Sequence, residues 1–415
     1  MPSINKTSYD IVYLPTRSIE IYFIHNQSNT HSQHKGVNMK KVLLSATLAV
    51  VLLMGSAFAQ DTSALAKTMS KLAGGAIQGY MGPAGSGFGN DLNGGWFHKA
   101  PQAKIFGIDI ELGVVVAGTF VSDENKTFSV NNSFRFDDTQ AGNIANLLNS
   151  DAGYNALTPA LKSQVRSNFI NQLKQNDVQV GFSGPTLLGG SSNPMLVTFD
   201  PGTVTLQNPV SGAPTTYNIG AYKDSIPGVK SFDLSILPLP MPQLSLGTVY
   251  GTMVTLRGAP IDIPAGDFGK VRFFGFGIQH NLGMWLPIPI VDLAISYYST
   301  GLSIKATQNG KEQELLKTSA SGFGLNISKQ LGFGFLNVTP YAGFGIENSK
   351  TTIAYDAPLN TPTGPTTVPF SVEFDGTNKS RLTLGLSIRL LIININADYN
   401  IGKTNSATAG LFLAF

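Results

Sequence analysis

Few residues in this chain have the types and spacing that chemistry needs. Beyond residue 59 there are two histidines, His98 and His280. A Ser-His pair would serve a lipid hydrolase, and His280 has serines on neighbouring segments. Yet it falls at a strand end on the outward parity, where an interface residue is the simpler expectation, and no G-x-S-x-G is present. Two isolated histidines and no cysteine make no metal cluster. Asp91, Asp123, Glu124, Asp137 and Asp138 offer oxygen ligands for Ca²⁺ without EF-hand spacing, so they read as solvated loop residues. Ala397 to Gly402-Lys403-Thr404 satisfies a loose P-loop pattern. That mechanism needs a strand-to-helix turn, and here a strand follows. No enzyme activity, cofactor or metal is expected.

The elements that carry these residues are unusual in composition. Charged residues make up 13% of the 415, about half the globular share, and glycine is high at 45. With a mean hydropathy of +0.08, this composition argues against disorder and nucleic-acid binding, both of which want excess charge.

Met39-Lys40-Lys41, the apolar run Val42–Met54 and Ala57-Phe58-Ala59 form a secretory signal peptide over 39–59, too short to span as a helix. Residues 1–38 lie upstream of a complete signal, and Met39 is the expected start. Residues 1–59 hold five basic residues (Lys6, Arg17, Lys35, Lys40, Lys41) and two acidic ones (Asp10, Glu20), so 23 of 28 basic and 23 of 25 acidic residues remain. The mature chain is neutral, and its sequence gives no reason to expect a basic-surface partner.

The mature chain repeats a period of two, the strand signal. Strands are expected at 105–120, 125–136, 243–257, 271–282, 290–300, 316–328, 334–347, 379–390, 391–401 and 406–415, with two more uncertain ones in 191–238. In each, one parity is apolar and the other carries Gly, Ser, Asn and the charges. A periplasmic β-sandwich would share that alternation. Lengths of about 9–13 residues, charge-free middles of the apolar faces and the ending Leu411-x-Leu413-x-Phe415 favour a transmembrane antiparallel β-barrel of 10–12 strands, at most 14. That ending resembles the terminal signature of bacterial outer-membrane barrels. It implies assembly machinery reading Phe415 as one partner and outer-membrane lipid as another. Trp285 and Tyr297 suit an aromatic girdle.

Two parts stand apart from the strands. Residues 60–102 read as a helix over 61–79, capped by Asp61 with Leu65, Met69 and Leu72 on one face, then a Gly/Pro-rich plug segment. Residues 103–415 form the barrel, with a helical insertion at about 139–175 placed periplasmically or in the lumen. The short connectors 283–289 and 329–333 belong to the periplasmic side, and the long polar ones 301–315 and 348–378 to the outside. Pro340 falls inside a strand, against the usual avoidance of paired positions.

Inward parity collects Asp109, Glu111, Arg257, Asp292, Tyr341, Glu347, Arg381, Arg389 and Asp398. They either line a solute path or pair across a narrow or plugged lumen, and the small side chains around them favour the latter.

Gly79-Tyr80-Met81-Gly82-Pro83 and the run Gly87-Phe88-Gly89-Asn90-Asp91-Leu92-Asn93-Gly94-Gly95-Trp96-Phe97, after a signal peptide and a helix, resemble an uncharacterised Bacteroidota-type family of outer-membrane β-barrels over the whole mature chain. The chain is more distantly similar to long-chain fatty-acid transporter barrels, which place an N-terminal plug in the lumen. The first resemblance implies no assigned activity. The second implies uptake of a hydrophobic solute, although its ligand-binding residues find no match here. The expected function is therefore an outer-membrane channel or transporter for a small or hydrophobic solute. A structural or surface-interaction barrel acting through its long connectors is the alternative, and a lipid hydrolase using His280 the third.

Overall fold

The computed structural model describes residues 62–190, 193–200, 202–218, 222–226, 231–264, 269–288, 290–308, 311–333, 335–361 and 364–415. The signal peptide, the Asp61 cap and everything else expected of residues 1–61 lie outside the described residues, as do the side chains of Leu65, Met69 and Leu72.

Helix α1 (Thr62–Asn93) leads into β1 (Phe106–Phe120). Strands β2 (Thr127–Phe134), β3 (Val178–Pro185), β4 (Met195–Asp200), β5 (Thr203–Gln207), β6 (Pro214–Asn218) and β7 (Tyr222–Ile226) follow, with helices α2 (Asp138–Ile144), α3 (Ala152–Asn155) and α4 (Pro159–Gln175) between β2 and β3. The C-terminal part is β8 (Ile236–Val249), β9 (Thr252–Pro264), β10 (Lys270–Asn281), β11 (Asp292–Gln308), β12 (Lys311–Ser328), β13 (Leu331–Phe333), β14 (Leu336–Thr361), β15 (Gly364–Asp375), β16 (Ser380–Leu390), β17 (Ile393–Ile401) and β18 (Ser406–Ala414).

Among the described residues, ten strands close into an antiparallel barrel in the order β12-β11-β10-β9-β8-β1-β18-β17-β16-β14, with β14 returning to β12. Closure removes the unpaired edges that an open sheet would leave. The last residue is part of the seam, since Phe415 N donates to Ile110 O at 2.8 Å and Ile110 N to Phe415 O at 3.2 Å. Burial alternates strictly: along β17 the even residues Asn394, Asn396, Asp398 and Asn400 are buried, while Ile393, Ile395, Tyr399 and Ile401 are exposed. The same inversion of ordinary burial holds around the wall, where Val114, Phe276, Leu325, Phe344, Leu386 and Leu411 all face outward.

Several expectations change. The segment 243–257 is not one strand but the hairpin β8–β9, turning at Tyr250 (φ 49°) and Gly251 (φ 62°). The two-residue turn pairs Val249 with Thr252, odd opposite even, but a register shift between Leu246 and Val249 then sets Leu246 opposite Val254 and Leu244 opposite Leu256, so the apolar alternation reads through the hairpin unbroken. Residues 125–136 form β2, which takes no place in the barrel ladder, and of the strands in 191–238 only the start of β8 enters it. With one barrel strand fewer before it, the segment 121–235 leaves and returns at the rim where Phe120 N bonds Asn405 O, opposite the Phe415 rim. This is the rim of the long connectors. Those connectors, 301–315 and 348–378, are themselves paired extensions of β11–β12 and β14–β15 rather than loops. Pro340 finds its explanation at the end of β12: its carbonyl accepts from Lys329 N at 3.2 Å, just beyond Ser328. Its donorless nitrogen faces the same side, in the gap between the Ser328–Tyr341 pair and the Leu331–Val338 pair where β13 resumes on β14, so the proline marks the break between β12 and β13.

The chain divides into two compact units. The smaller, residues 133–179 and 198–223, packs Val165, Phe169 and Leu173 of α4 with Val204 and Leu206 of β5, and Phe169 meets Tyr217 edge-on at 5.7 Å. The larger holds the barrel and α1.

Candidate functional site

The barrel interior is filled by α1 and the segment that follows it. The helix does not stop at residue 79 but runs on through Gly82, Pro83, Gly85, Gly87 and Gly89 to Asn93. Propensity argues for a break there. Proximity to the wall overrides it. A Cβ at Gly85 would lie 2.6 Å from Phe374 Cε2 and one at Gly87 2.7 Å from Leu237 Cδ2, while Gly79 and Gly89 press on Phe128 and Ser349 as closely. Wall glycines return the favour. Gly277 makes room for Trp96 and Phe97, Gly322 for Tyr298, and Gly385 for Tyr341. Trp96 stacks on Tyr298 at 5.3 Å, donates Nε1–H to Leu92 O at 2.9 Å and carries the Arg257 guanidinium 4.1 Å above its ring.

Four of the nine inward residues, Arg381, Arg257, Asp109 and Glu111, hold this segment, and Glu347 holds Arg381. Arg381 donates to Glu347 at 2.9 Å and to Asn90 O at 2.7 Å. Arg257 donates Nε–H to Gln243 at 2.8 Å and Nη1–H to Gly94 O at 2.8 Å. Lys99 donates to Asp109 at 2.7 Å and to Glu111 at 2.8 Å, and His98 Nε2 lies 3.0 Å from Glu111. The other four do not touch it with charge. Tyr341 donates to Asp398 at 2.9 Å across the wall. Asp292 accepts from Asn281 at 3.0 Å, and Arg389 donates to Leu391 O and Ala414 O at the Phe415 rim. The partners that parity could not name, Asn90, His98 and Lys99, all come from the N-terminal segment. Their polar types within an otherwise Gly-rich run were the available signal.

Asp91 lies on α1 near the rim of Thr404. Its Oδ1 accepts from Thr119 at 2.6 Å, and burial pushes its carboxyl up to about 8, against the pull of the Thr119 hydroxyl and the Arg381 charge. Beside these polar groups the interior is apolar. Leu92 and Phe88 of α1 pack with Val115, Met241, Phe273, Leu302 and Phe412 of the wall, and Leu239 and Val271 join them. A cavity of about 260 Å³ opens at the rim between Pro83 and Gly87 of α1, Leu237, Phe120 and Phe374.

The residues considered for chemistry are engaged otherwise. His280 has Thr252 Oγ1 at 3.0 Å from Nδ1, and its Nε2 accepts from Trp285 Nε1 at 2.7 Å, so neither nitrogen meets a serine. Among the described residues no group of three or more His, Cys, Asp or Glu could hold a metal ion.

These observations define a closed ten-stranded antiparallel barrel whose interior is occupied by its own N-terminal segment. The chain belongs to the family of unknown function DUF6588, whose model matches residues 39–415. No curated protein matches it. Its backbone is similar to the transport unit of the autotransporter AIDA-I from Escherichia coli (TM-score 0.25, 6% identity, 81% of this chain and 98% of that one). It is also similar to the outer-membrane protease OmpT from Escherichia coli (TM-score 0.23, 8% identity, 76% and 100%) and to the beta domain of the Bordetella autotransporter BrkA (TM-score 0.21, 10% identity, 74% and 100%).

Proposed function

We propose that the protein is an outer-membrane barrel, sealed against ions, that binds and passes a hydrophobic solute. The carrying observation is the pairing of an apolar outer wall with an interior whose charges are consumed by the chain's own N-terminal segment. Outward Leu384, Leu386, Ile388, Leu411 and Leu413 are exposed without a covering layer. In water such a belt is an aggregation surface, whereas in lipid it is the required one. Arg381 and Glu347 are buried against each other, and Glu111 and Arg257 are buried against Lys99 and Gly94 of the N-terminal segment, so these charges are engaged rather than offered to a hydrated ion. The apolar cluster around Phe88, Leu92 and Phe273 supports an apolar cargo. The resemblances to a Bacteroidota-type family and to fatty-acid transporter barrels belong to this reading and agree with it.

The test is reconstitution of the full mature chain in planar bilayers and in liposomes. Negligible ion conductance together with saturable binding of a fluorescent long-chain amphiphile is the expected result. Steady conductance of the wild type, or no amphiphile binding, would overturn the reading.

A further inference from the structure

We infer that the barrel carries its own N-terminal segment across the outer membrane, so that the N-terminal half of α1 is presented on the outer face of the cell while residues 100–105 stay at the periplasmic mouth. This rests on the outer-membrane placement proposed above and is independent of the solute.

The segment can be followed through the lumen bond by bond. At the Phe415 rim, Gly251 N donates to Lys104 O and Tyr250 N to Ile105 O, each at 2.9 Å. Gln102 bonds Gln330, just past β12, at 2.9 Å, and Ala100 N donates to Ser328 Oγ at 2.9 Å where β12 ends. Further along the lumen Gly94 O accepts from Arg257 at 2.8 Å. Asn90 Nδ2 then meets Thr119 Oγ1 at 3.0 Å and Thr404 O at 3.3 Å. Both partners stand at the opposite end of the wall, beside the bond from Phe120 N to Asn405 O.

Before Asn90 the contacts belong to the connectors of that rim. Thr377 N donates to Ser86 Oγ at 3.0 Å, and Leu187 N donates to Tyr80 O at 2.9 Å. Gly79 and Gly75 press on Phe128 and Asn132 of β2, and Gly74 lies against Val372 of β15. The order never reverses. Residue 104 is at one rim, residue 90 at the other, and α1 runs on from there for the length of Thr62–Gly89, about 42 Å at a rise of about 1.5 Å per residue.

Charge follows the same division. From Leu72 to Phe97 the only acidic or basic residue is Asp91, whereas Lys67 and Lys71 precede that stretch and Lys99 and Lys104 follow it. The segment is nearly free of charge where it fills the lumen and basic at both ends.

Which rim faces out follows from the connections. At the Phe415 rim they are short, Tyr250-Gly251 and Leu391-Ile392 among them. At the other rim the chain makes the excursion 121–235 and the paired extensions of β11–β12 and β14–β15. Outer-membrane barrels keep short turns in the periplasm and long connections outside. A helix that starts among the long connectors and continues down to the short turns has therefore crossed the membrane outward, and its route is the lumen that it fills.

The chain has no cysteine, so single replacements report their side of the membrane. Thr62→Cys and Gln78→Cys, the latter at an exposed position of α1, are compared with Ala103→Cys, exposed at the Phe415 rim. Cells of a Gram-negative host producing the full chain are treated with a maleimide whose polyethylene-glycol chain is too large to cross the outer membrane. Heat-modifiable migration checks folding of each variant. Thr62→Cys and Gln78→Cys should be labelled as fully in intact cells as after the outer membrane is permeabilised, and Ala103→Cys should gain about tenfold on permeabilisation. Protection of Thr62→Cys or Gln78→Cys in intact cells overturns the export while leaving solute binding intact. Ala103→Cys labelled in intact cells as fully as the other two overturns the outer-membrane placement, and with it the function itself.

Discussion

At the residue scale the buried ion pairs decide whether the interior stays shut. Arg381 and Glu347 are both nearly inaccessible and joined at 2.9 Å. Removing one partner of such a pair leaves an uncompensated buried charge, a cost of roughly 3–5 kcal/mol, whereas replacing both with apolar side chains is often nearly neutral. Arg381→Leu should therefore lower the unfolding free energy in vesicles by about that amount, and Arg381→Leu/Glu347→Leu should recover most of it. A double variant as unstable as the single one would mean that the Arg381 bond to Asn90, not the pair, carries the stability. Asp91 adds a pH dependence of stated sign. Its carboxyl rises from 3.8 to about 8 in the fold, so the folded state holds a proton that the unfolded chain has lost. The contribution of neutral Asp91 is complete below its ordinary value and is lost as pH rises through about 8. Thermal unfolding followed at pH about 5 and about 9 should show the wild type less stable at the higher pH, and Asp91→Asn should flatten that difference.

At the element scale α1 exists because of the wall around it. Its glycines and Pro83 would weaken a solvent helix, yet a Cβ at Gly85 would force the Phe374 ring to move. Gly85→Leu is expected to displace the helix, leave the ten-strand ladder intact and open an ion conductance measurable in planar bilayers. Gly82→Leu, with nothing within 4 Å of its Cβ, should leave the bilayer silent. The same contrast explains what the sequence discloses. The strands from 271 onward are legible because their parity is set by two solvents, apolar lipid outside and a packed polar interior. Tyr250-Gly251 is hidden because the register shift between Leu246 and Val249 restores the parity that a two-residue turn would invert, and β2 misleads because an alternating strand looks the same in any sheet. The continuation of α1 past residue 79 is invisible locally, since its cause is the distance to Phe374 and Ser349, residues far away in the chain. Parity finds Arg257, Glu347 and Arg381 on the inner wall for the same reason that it finds the strands. It does not find Asn90, His98 or Lys99, because a plug has no period to read.

At the scale of the whole molecule the scarcity of charge has one consequence that distinguishes lipid from water as the outer solvent. Leu386 and Leu390 lie on one face of β16, four residues apart, and both are exposed. On a protein surrounded by water, lysine at either position would be nearly neutral and equally so, since neither side chain is covered. In a bilayer the cost depends on depth. Leu386 sits at the middle of Ser380–Leu390 and pairs with Ala397 and Pro340, while Leu390 ends the strand at the Phe415 rim. Leu386→Lys should destabilise the barrel by roughly 2–4 kcal/mol and Leu390→Lys by about 0–1 kcal/mol, read as equilibrium unfolding from phospholipid vesicles. Equal effects at the two positions would remove the membrane from the argument, and with it the reason for exposed apolar side chains on every barrel strand. A gradient along this strand, repeated at Leu411 and Leu413 of β18, would fix the height of the hydrocarbon slab on the barrel.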